Sequence, residues 1–545
     1  MAEQRADELI KRYESLKGKR GIWENHWQEI ADFMEPWRTD FTRQMTPGEK
    51  RGQFLLDGTA TLAADNLAAG IWGTMTNSTQ KWFVLRHKIE QLNQDQQVKM
   101  WLDSSETKLR NLFAENGQVF YQRMAEFNMN LVLYGTGIFY MEELPGGGIF
   151  FSNRSLSECV IDQNSKEQID LCIRHFKWTA RQAVGKWGQA VSNDIKKAFE
   201  KEPDREFEFI HAALPREDYL PQRLDAKGKP FASFYVEKEA RSILSESGYH
   251  FFPYTVGRWT TISGTPYGVG PGQKALPDTK MLNAMSDTAL TAAEFASRPP
   301  IMTTDEMSFR GSKVRPGQIL QGGLEAGVKN FEPLLMAANH GLTEEMMQQR
   351  REAIKEAFHA SLLMMVDRND MTATEVMQRE QEKMRLLGPH MGRHMSEVDD
   401  PIIDKAFDVL ARGRDQFNRP ILDEPPEILQ DYPDIKVEYV SPMARAQRAS
   451  EAMAIQKTIQ EIMPIAQADP SIFMNFNNDE IARVLADING VPAKIMRDPR
   501  EVEQQRQAAA QQAAAQQAAA AVPAMAGAGK DMAMADKAAA EAAAA

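Results

Sequence analysis

His390 and His394 stand four residues apart, a spacing that on a helix turns both side chains one way. A metalloprotease builds its zinc site on such a pair, with a glutamate between as general base. Here the intervening residues are Met391, Gly392 and Arg393. No glutamate is present and the arginine opposes a cation, so the pair reads as surface histidines. Gly268-Val269-Gly270-Pro271-Gly272-Gln273-Lys274-Ala275 is the nearest string to a phosphate loop. Ala275 replaces the hydroxyl that magnesium needs, and Pro271 removes a cradle amide, which leaves a turn or hinge. Cys159 and Cys172 are too few for a disulfide framework or a structural zinc site. They read as buried strand residues. Asp399-Asp400 before Pro401 reads as a turn or helix start. Trp23 and Trp27 are four apart and read as packing residues, since a base-stacking platform wants interleaved basic residues. No Gly-x-Ser-x-Gly elbow occurs. No catalytic residue, cofactor site or metal site is expected, and the chain reads as a non-enzyme.

The elements that carry these residues follow from periodicity. Leu9, Ile10, Tyr13, Leu16, Ile22, Trp23, Trp27, Ile30 and Phe33 predict a helix over 3–34, stopped by Pro36. Asp57-Gly58-Thr59 supplies caps for a second, with Leu62, Leu67, Ala68, Ile71 and Met75 on its apolar side. Helices fit 95–115 and 118–134, with Gly117 as a C-cap between them. Residues 137–152 read as a hairpin about Gly146-Gly147-Gly148. Further strands fit 168–176, 205–213, 231–238 and 249–254, and short helices fit 179–187 and 192–201. Gly264–Pro277 reads as a hinge or domain boundary. A helix over 278–297 follows, then a strand- and Gly-rich insert. A second long helix fits 343–366, with Thr343 as N-cap. Thr372-Ala373-Thr374-Glu375 matches a capping box. Helical pattern returns over 389–412, interrupted near Pro401. A Pro-rich connector spans 415–440, and helices fit 442–462 and 478–488. The fold class is α+β, mainly helical.

Composition bounds the partners. The 545 residues carry 64 basic and 76 acidic side chains, a net charge of -12. The chain lacks the basic excess usual in a sequence-specific DNA binder, which argues against tight phosphate binding over a large surface. An acidic wall repels phosphate and suits a conduit better than a clamp, although simple solubility explains the balance too. No apolar run long enough for a membrane span occurs, and the first eleven residues lack a signal-peptide core. Thirty methionines fit either adaptable interfaces or core filling. The Ala- and Gln-rich segment over 504–545 has no face that demands packing; helix fits as far as Ala521, with a frayed tail beyond Pro523.

Several strings, in order, resemble the head-to-tail connector (portal) family of short-tailed, T7-like bacteriophages, the podoviruses. They are Trp23-Glu24-Asn25-His26-Trp27 with Pro36, Asp57-Gly58-Thr59-Ala60, Leu67-Ala68-Ala69-Gly70, Thr76-Asn77-Ser78 and Trp82-Phe83. Tyr267-Gly268-Val269-Gly270-Pro271-Gly272, Leu276-Pro277-Asp278, Leu282-Asn283 and Met371-Thr372-Ala373-Thr374-Glu375-Val376 continue the series.

The resemblance implies a homododecameric ring at one capsid vertex, through which double-stranded DNA is packaged and ejected without sequence specificity. Its implied partners are the terminase large subunit, tail adaptor proteins, and major capsid and scaffold proteins, with no membrane. It implies a place in the virion after assembly in the host cytoplasm. The implied parts are a wing over 1–275 (helical over 1–135, α+β over 136–260), stem helices over 276–297 and 343–366, and a clip over 298–342. A tunnel loop follows over 367–375, then wing helices over 376–440, a crown over 441–503 and the low-complexity tail. In the tunnel loop, Arg368 and Asn369 are the candidates for DNA contact, weighed evenly against a solvated turn. The alternatives are a DNA-packaging enzyme subunit (ATPase or nuclease) and another minor capsid or scaffold protein.

Overall fold

Leu9, Ile10 and Tyr13 fall on one side of a helix, and in the computed structural model that helix runs Ala2–Met34 before Pro36. The structure describes residues 2–43, 46, 48–79, 81–114, 120–144, 146–297, 301–303, 324–325, 328–329, 331–333, 340–360, 385–414, 417–430, 435–439, 442–468, 472, 475–488, 491, 495–497 and 501–513. They divide into two units: 1–83, 108–422 and 439–443 form one, and 84–107, 423–438 and 444–545 the other.

The first unit is built around two antiparallel sheets. Thr136–Glu143 is the middle strand of three, between Ile149–Arg154 and Tyr254–Arg258. Five more strands pair in chain order: Cys159–Gln163, Ile169–Thr179, Glu206–Pro215, Phe231–Glu237 and Ser242–Tyr249. Side chains alternate across a strand, so Ile210, Ala212 and Leu214 point to one face, under Ala6, Leu9, Ile10 and Tyr13 of the first helix. Phe207 and Phe209 point to the other. There they pack with the helices Ala180–Trp187 and Asn193–Lys201. Thr179 and Gln182 form a capping box on the first of these, and Ser192 caps the second.

Between the sheets, His211 is buried. Its Nδ1 lies 2.8 Å from the Tyr254 hydroxyl and its Nε2 3.1 Å from the Ser233 hydroxyl. Burial holds this imidazole well below its ordinary pKa, so it is a neutral link between layers. Arg20 pins the first helix to the loop before the five-stranded sheet. It donates to the Leu156 carbonyl (2.8 Å), the Cys159 carbonyl and Glu24 (2.6 Å), and only 2% of it is exposed. Cys159 and Cys172 are buried strand residues, as expected. Trp23 and Trp27 pack together at 5.6 Å and both reach Tyr267.

In the second unit, Phe83–His87 pairs with Ile435–Tyr439. Asn93 closes the end of the first strand by bonding the His87 backbone twice. The Trp101 indole and the Ser104 hydroxyl both bond Asp423. The helices Pro442–Ala468 and Asn478–Ile488 follow, and Arg506 makes a bidentate pair with Asp479.

Several expectations are corrected. No strand forms over 249–254: Tyr249 ends one strand, Tyr254 opens another, and Pro253 between them has no amide to donate. Cys159–Gln163 and Ser242–Tyr249 are strands that the alternation did not reveal, because both are edges with one unpaired side. Ile435–Tyr439 is a third, inside the presumed connector. Leu62 is 65% exposed and does not join the apolar side of its helix, Thr59–Met75.

Helix covers 385–394, turns π-helical over Met395–Asp399 and resumes as Asp400–Arg412. The extra residue of the π-turn sits just before Pro401, which has no N–H to offer the ladder. His394 is not at the surface. It is 4% exposed, with Nδ1 3.0 Å from Asp399 and Nε2 3.0 Å from Asn128. His390 is half-buried and stacks on Trp259 at 4.5 Å. Glu397 grips Arg258 through its guanidinium (2.8 Å) and its backbone amide (2.9 Å).

Lys405, on the resumed helix, donates to the Thr255 hydroxyl at 2.8 Å. Burial pushes its ammonium down from 10.5 to about 7, against the opposing charge of Asp404. The folded value lies below the unfolded one, so the unfolded chain holds more protons between about pH 7 and 10.5, and stability rises with pH across that window. Lys405→Met is expected to stabilise the fold at pH 7 by on the order of 1–3 kcal/mol. The gain stays below what the full displacement implies because the residue keeps some exposure and Thr255 loses its donor. Denaturant unfolding at about pH 7 and 9.5 measures it; a pH slope equal to wild type in the variant rules it out.

Candidate functional site

The Gly- and Pro-dense segment expected to be a hinge is one of the tightest crossings in the molecule. The backbone of 268–272 runs directly over that of 132–135. A Cβ on Gly270 would stand 2.7 Å from the Val132 carbonyl, and one on Gly272 2.5 Å from that of Leu133. Gly135 is held at φ +72 against this loop, its carbonyl bonded by Trp259 N at 2.9 Å. Three loop amides are engaged within the protein. Gly268 N donates to the Thr136 hydroxyl (2.9 Å), Val269 N to the Thr260 carbonyl (2.8 Å) and Gly270 N to the Gln273 side chain (2.6 Å). Those three N–H groups are therefore not free to cradle a phosphate. The loop does not separate the two units, since the chain on both sides of it lies within 108–422.

From this crossing a long helix leaves, Pro271–Ser297. It starts seven residues before the expected Asp278, because Pro271 is preorganised for a first helical position. Pro277 lies inside it and leaves the Gln273 carbonyl without a helical donor. Twenty-seven residues make about 40 Å of helix. The returning helix is His340–Ala357. It begins before Thr343, which is therefore inside it and not its cap. It ends short of the expected 366, where His359 turns to φ +53. Between the two helices, Ile301–Thr303 pairs antiparallel with Phe331–Pro333, and Leu324–Glu325 with Val328–Lys329. The arrangement of helix, strand-bearing insert and helix matches the sequence reading.

The helices run back along one another. Arg350, late in the second, reaches Asp278, early in the first, at 2.8 Å. Arg351 bonds Asp57 at 3.1 Å and Glu344 at 3.1 Å. Burial alone would raise the Asp57 carboxyl. Hydrogen bonds from Thr59 and the Arg351 guanidinium outweigh it and hold the group below its ordinary range. Met347, Ile354 and Phe358 form the buried stripe.

Opposite that stripe, Glu345, Gln348, Gln349, Glu352 and Glu356 line one exposed, shallow face. Arg350 and Arg351 face away from it, held by Asp278 and Asp57, while Lys355 pairs with Glu352 at 3.0 Å. The face carries acids and amides with little countercharge, so it offers a negative potential to anything passing. The sequence reading did not single these residues out as a face. Their spacing of 3, 4 and 7 was the missed signal.

The two candidate DNA-contact residues, Arg368 and Asn369, lie outside the described residues. So do Met364–Met371, the capping box Thr372–Glu375, Gly117 and the tail beyond 513. Among the described residues no group of three or more His, Cys, Asp or Glu is placed to hold a metal ion. No described helix is long and apolar enough to cross a membrane.

The family model described as bacteriophage head to tail connecting protein matches residues 6–496. The chain belongs to that family. It is described by a connecting role and not by a reaction. The chain is 26% identical over 520 residues to the portal protein of Salmonella phage epsilon15, covering 94% of this chain and 92% of that one. It is 29% identical over 530 residues to the probable portal protein of Bordetella phage BPP-1, covering 94% of each. A solved neck of a native GTA particle, computed with C12 symmetry, gives a TM-score of 0.32 at 12% identity, over 73% of this chain and 84% of that one. That likeness is too slight to bear on the fold.

Proposed function

We propose that this chain is the repeating subunit of a phage portal ring, a structural conduit rather than an enzyme. About twelve copies surround a channel at one capsid vertex of the virion, after assembly in the host cytoplasm. Double-stranded DNA enters through it during packaging and leaves through it at infection, with no sequence read. Residues 1–275 and 376–440 form the wing, and the helices within 276–297 and 343–366 the stem. The insert over 298–342 is the clip that meets the terminase large subunit and later the tail adaptors. Residues 441–503 form the crown. Major capsid and scaffold proteins meet the wing.

The observation that carries this reading is the acidic face of His340–Ala357 on an arm anchored at its base. DNA must move through a portal, and phosphate held by a basic wall would stall. Arg368 and Asn369, between stem and wing, touch the DNA transiently and meter its motion.

Negative-stain electron microscopy with mass measurement tests the ring. Closed rings with a central hole are expected; a homogeneous monomer or compact small oligomer would overturn the reading. Arg368→Ala is expected to impair packaging or retention of the genome while leaving ring formation intact. Unchanged packaging and retention would remove Arg368 from the mechanism.

A further inference from the structure

The helix Pro271–Ser297 carries two features of opposite shape on opposite sides. Lys274 and Asn283 are nine residues apart, which is two and a half turns, so they face away from each other. On the Asn283 side stands a knob. Phe54 is 86% exposed, yet its backbone is not loose: Asn283 accepts from Leu56 N and donates to the Phe54 carbonyl, each at 2.8 Å. On the Lys274 side lies a hollow of about 370 Å³, lined by Ile22, Trp23, His26, Val269, Gln273 and Lys274. Its aromatic wall is fixed, since Trp23 rests on Trp27 and Tyr267. Ile22, at its lip, is 86% exposed.

We infer that in the ring each copy seats Phe54 in the Ile22–Trp23–Val269 hollow of the next copy. The inference rests on the ring reading above and assigns its interface. An apolar knob and an apolar hollow at different places on one chain make a head-to-tail contact, which closes into a ring when the rotation between copies permits. A phenyl on an anchored backbone enters a preformed hollow at reduced entropic cost. Charge does not oppose the contact: over 48–58 the loop that carries Phe54 has no net charge, with Glu49 paired to Arg51 at 3.4 Å, and the rim of the hollow carries the exposed Lys274. A second copy is therefore the occupant whose chemistry is already present, at equal number, in every subunit.

Phe54→Cys combined with Ile22→Cys, in the full chain, tests the contact. Under oxygen with copper phenanthroline, the double variant is expected to give a ladder of covalent multimers on denaturing gels. Either single variant gives dimers at most. Cys159 and Cys172 are buried and stay silent. Phe54→Asp is expected to lower ring yield about tenfold with an unchanged circular dichroism spectrum; if that variant misfolds, the ladder alone decides. Intact rings with no ladder, or full ring yield from folded Phe54→Asp, would place the interface elsewhere and leave the ring reading standing. A wild-type monomer would overturn both.

Discussion

Replacing Glu345, Glu352 and Glu356 together by lysine is expected to turn a surface that lets DNA slide into one that holds it. The three acids lie along the exposed face of His340–Ala357, and each substitution exchanges a repelling charge for an attracting one. A ring multiplies the change by its subunit number around one channel. Each phosphate neutralised releases condensed counterions and steepens the dependence of log K on log salt by about 0.9. Variant rings are therefore expected to retain short duplex DNA at least about tenfold better at low salt, with a markedly steeper salt slope. Genome packaging is expected to fall in the same variant. Filter binding across a salt series reads the first effect, and DNA content of particles the second. Retention and slope equal to wild type would show that this face does not meet DNA. The buried side of the helix is untouched, so the substitutions do not threaten the fold.

Gly135→Ala is expected to leave no assembled protein at all. Gly135 sits at φ +72, a region that costs other residues about 1–2 kcal/mol. The steric clash costs more. A Cβ there would overlap the Gly270 nitrogen and the Gly268 carbonyl oxygen, which are backbone atoms and cannot rotate aside. Loss above about 4 kcal/mol is rare for a point substitution, and this position combines two of its causes. Gly18→Ala is the control: its Cβ meets nothing within 4 Å, and it lies inside the first helix. That change is expected to gain about 0.5–1 kcal/mol. Thermal unfolding of soluble protein separates the two; a folded, ring-forming Gly135→Ala would refute so tight a crossing.

The helices were legible because their apolar residues repeat locally. Leu9, Ile10 and Tyr13 mark the first helix whatever lies above them, and Met347, Ile354 and Phe358 mark the returning one. Paired inner strands were legible for a similar reason, through the alternation in Glu206–Pro215 and Phe231–Glu237. What was not legible depended on distant partners. Gly268, Gly270 and Gly272 look like flexibility in one dimension, and only the backbone of 132–135 explains them. His394 reads as a surface residue until Asn128, 266 positions away, supplies its second bond. Edge strands such as Ser242–Tyr249 escape because half their backbone has no pairing to demand a pattern. Phe54 escapes for another reason, and Ile22, counted among the apolar positions of the first helix, is 86% exposed: an exposed apolar residue gains meaning only from what covers it.

The crossing at Gly135 has a mechanical consequence. Pro271–Ser297 is clamped at its root by backbone packing and, about two turns on, by the Asp278–Arg350 pair, while most described positions past Ser286 face solvent. It is a cantilever. Sideways deflection of such a beam grows steeply with distance from the clamp, so a load at the far end moves the tip and hardly the root. Compliance is thereby concentrated near the strand-bearing insert, and the body carries the reaction force without changing shape.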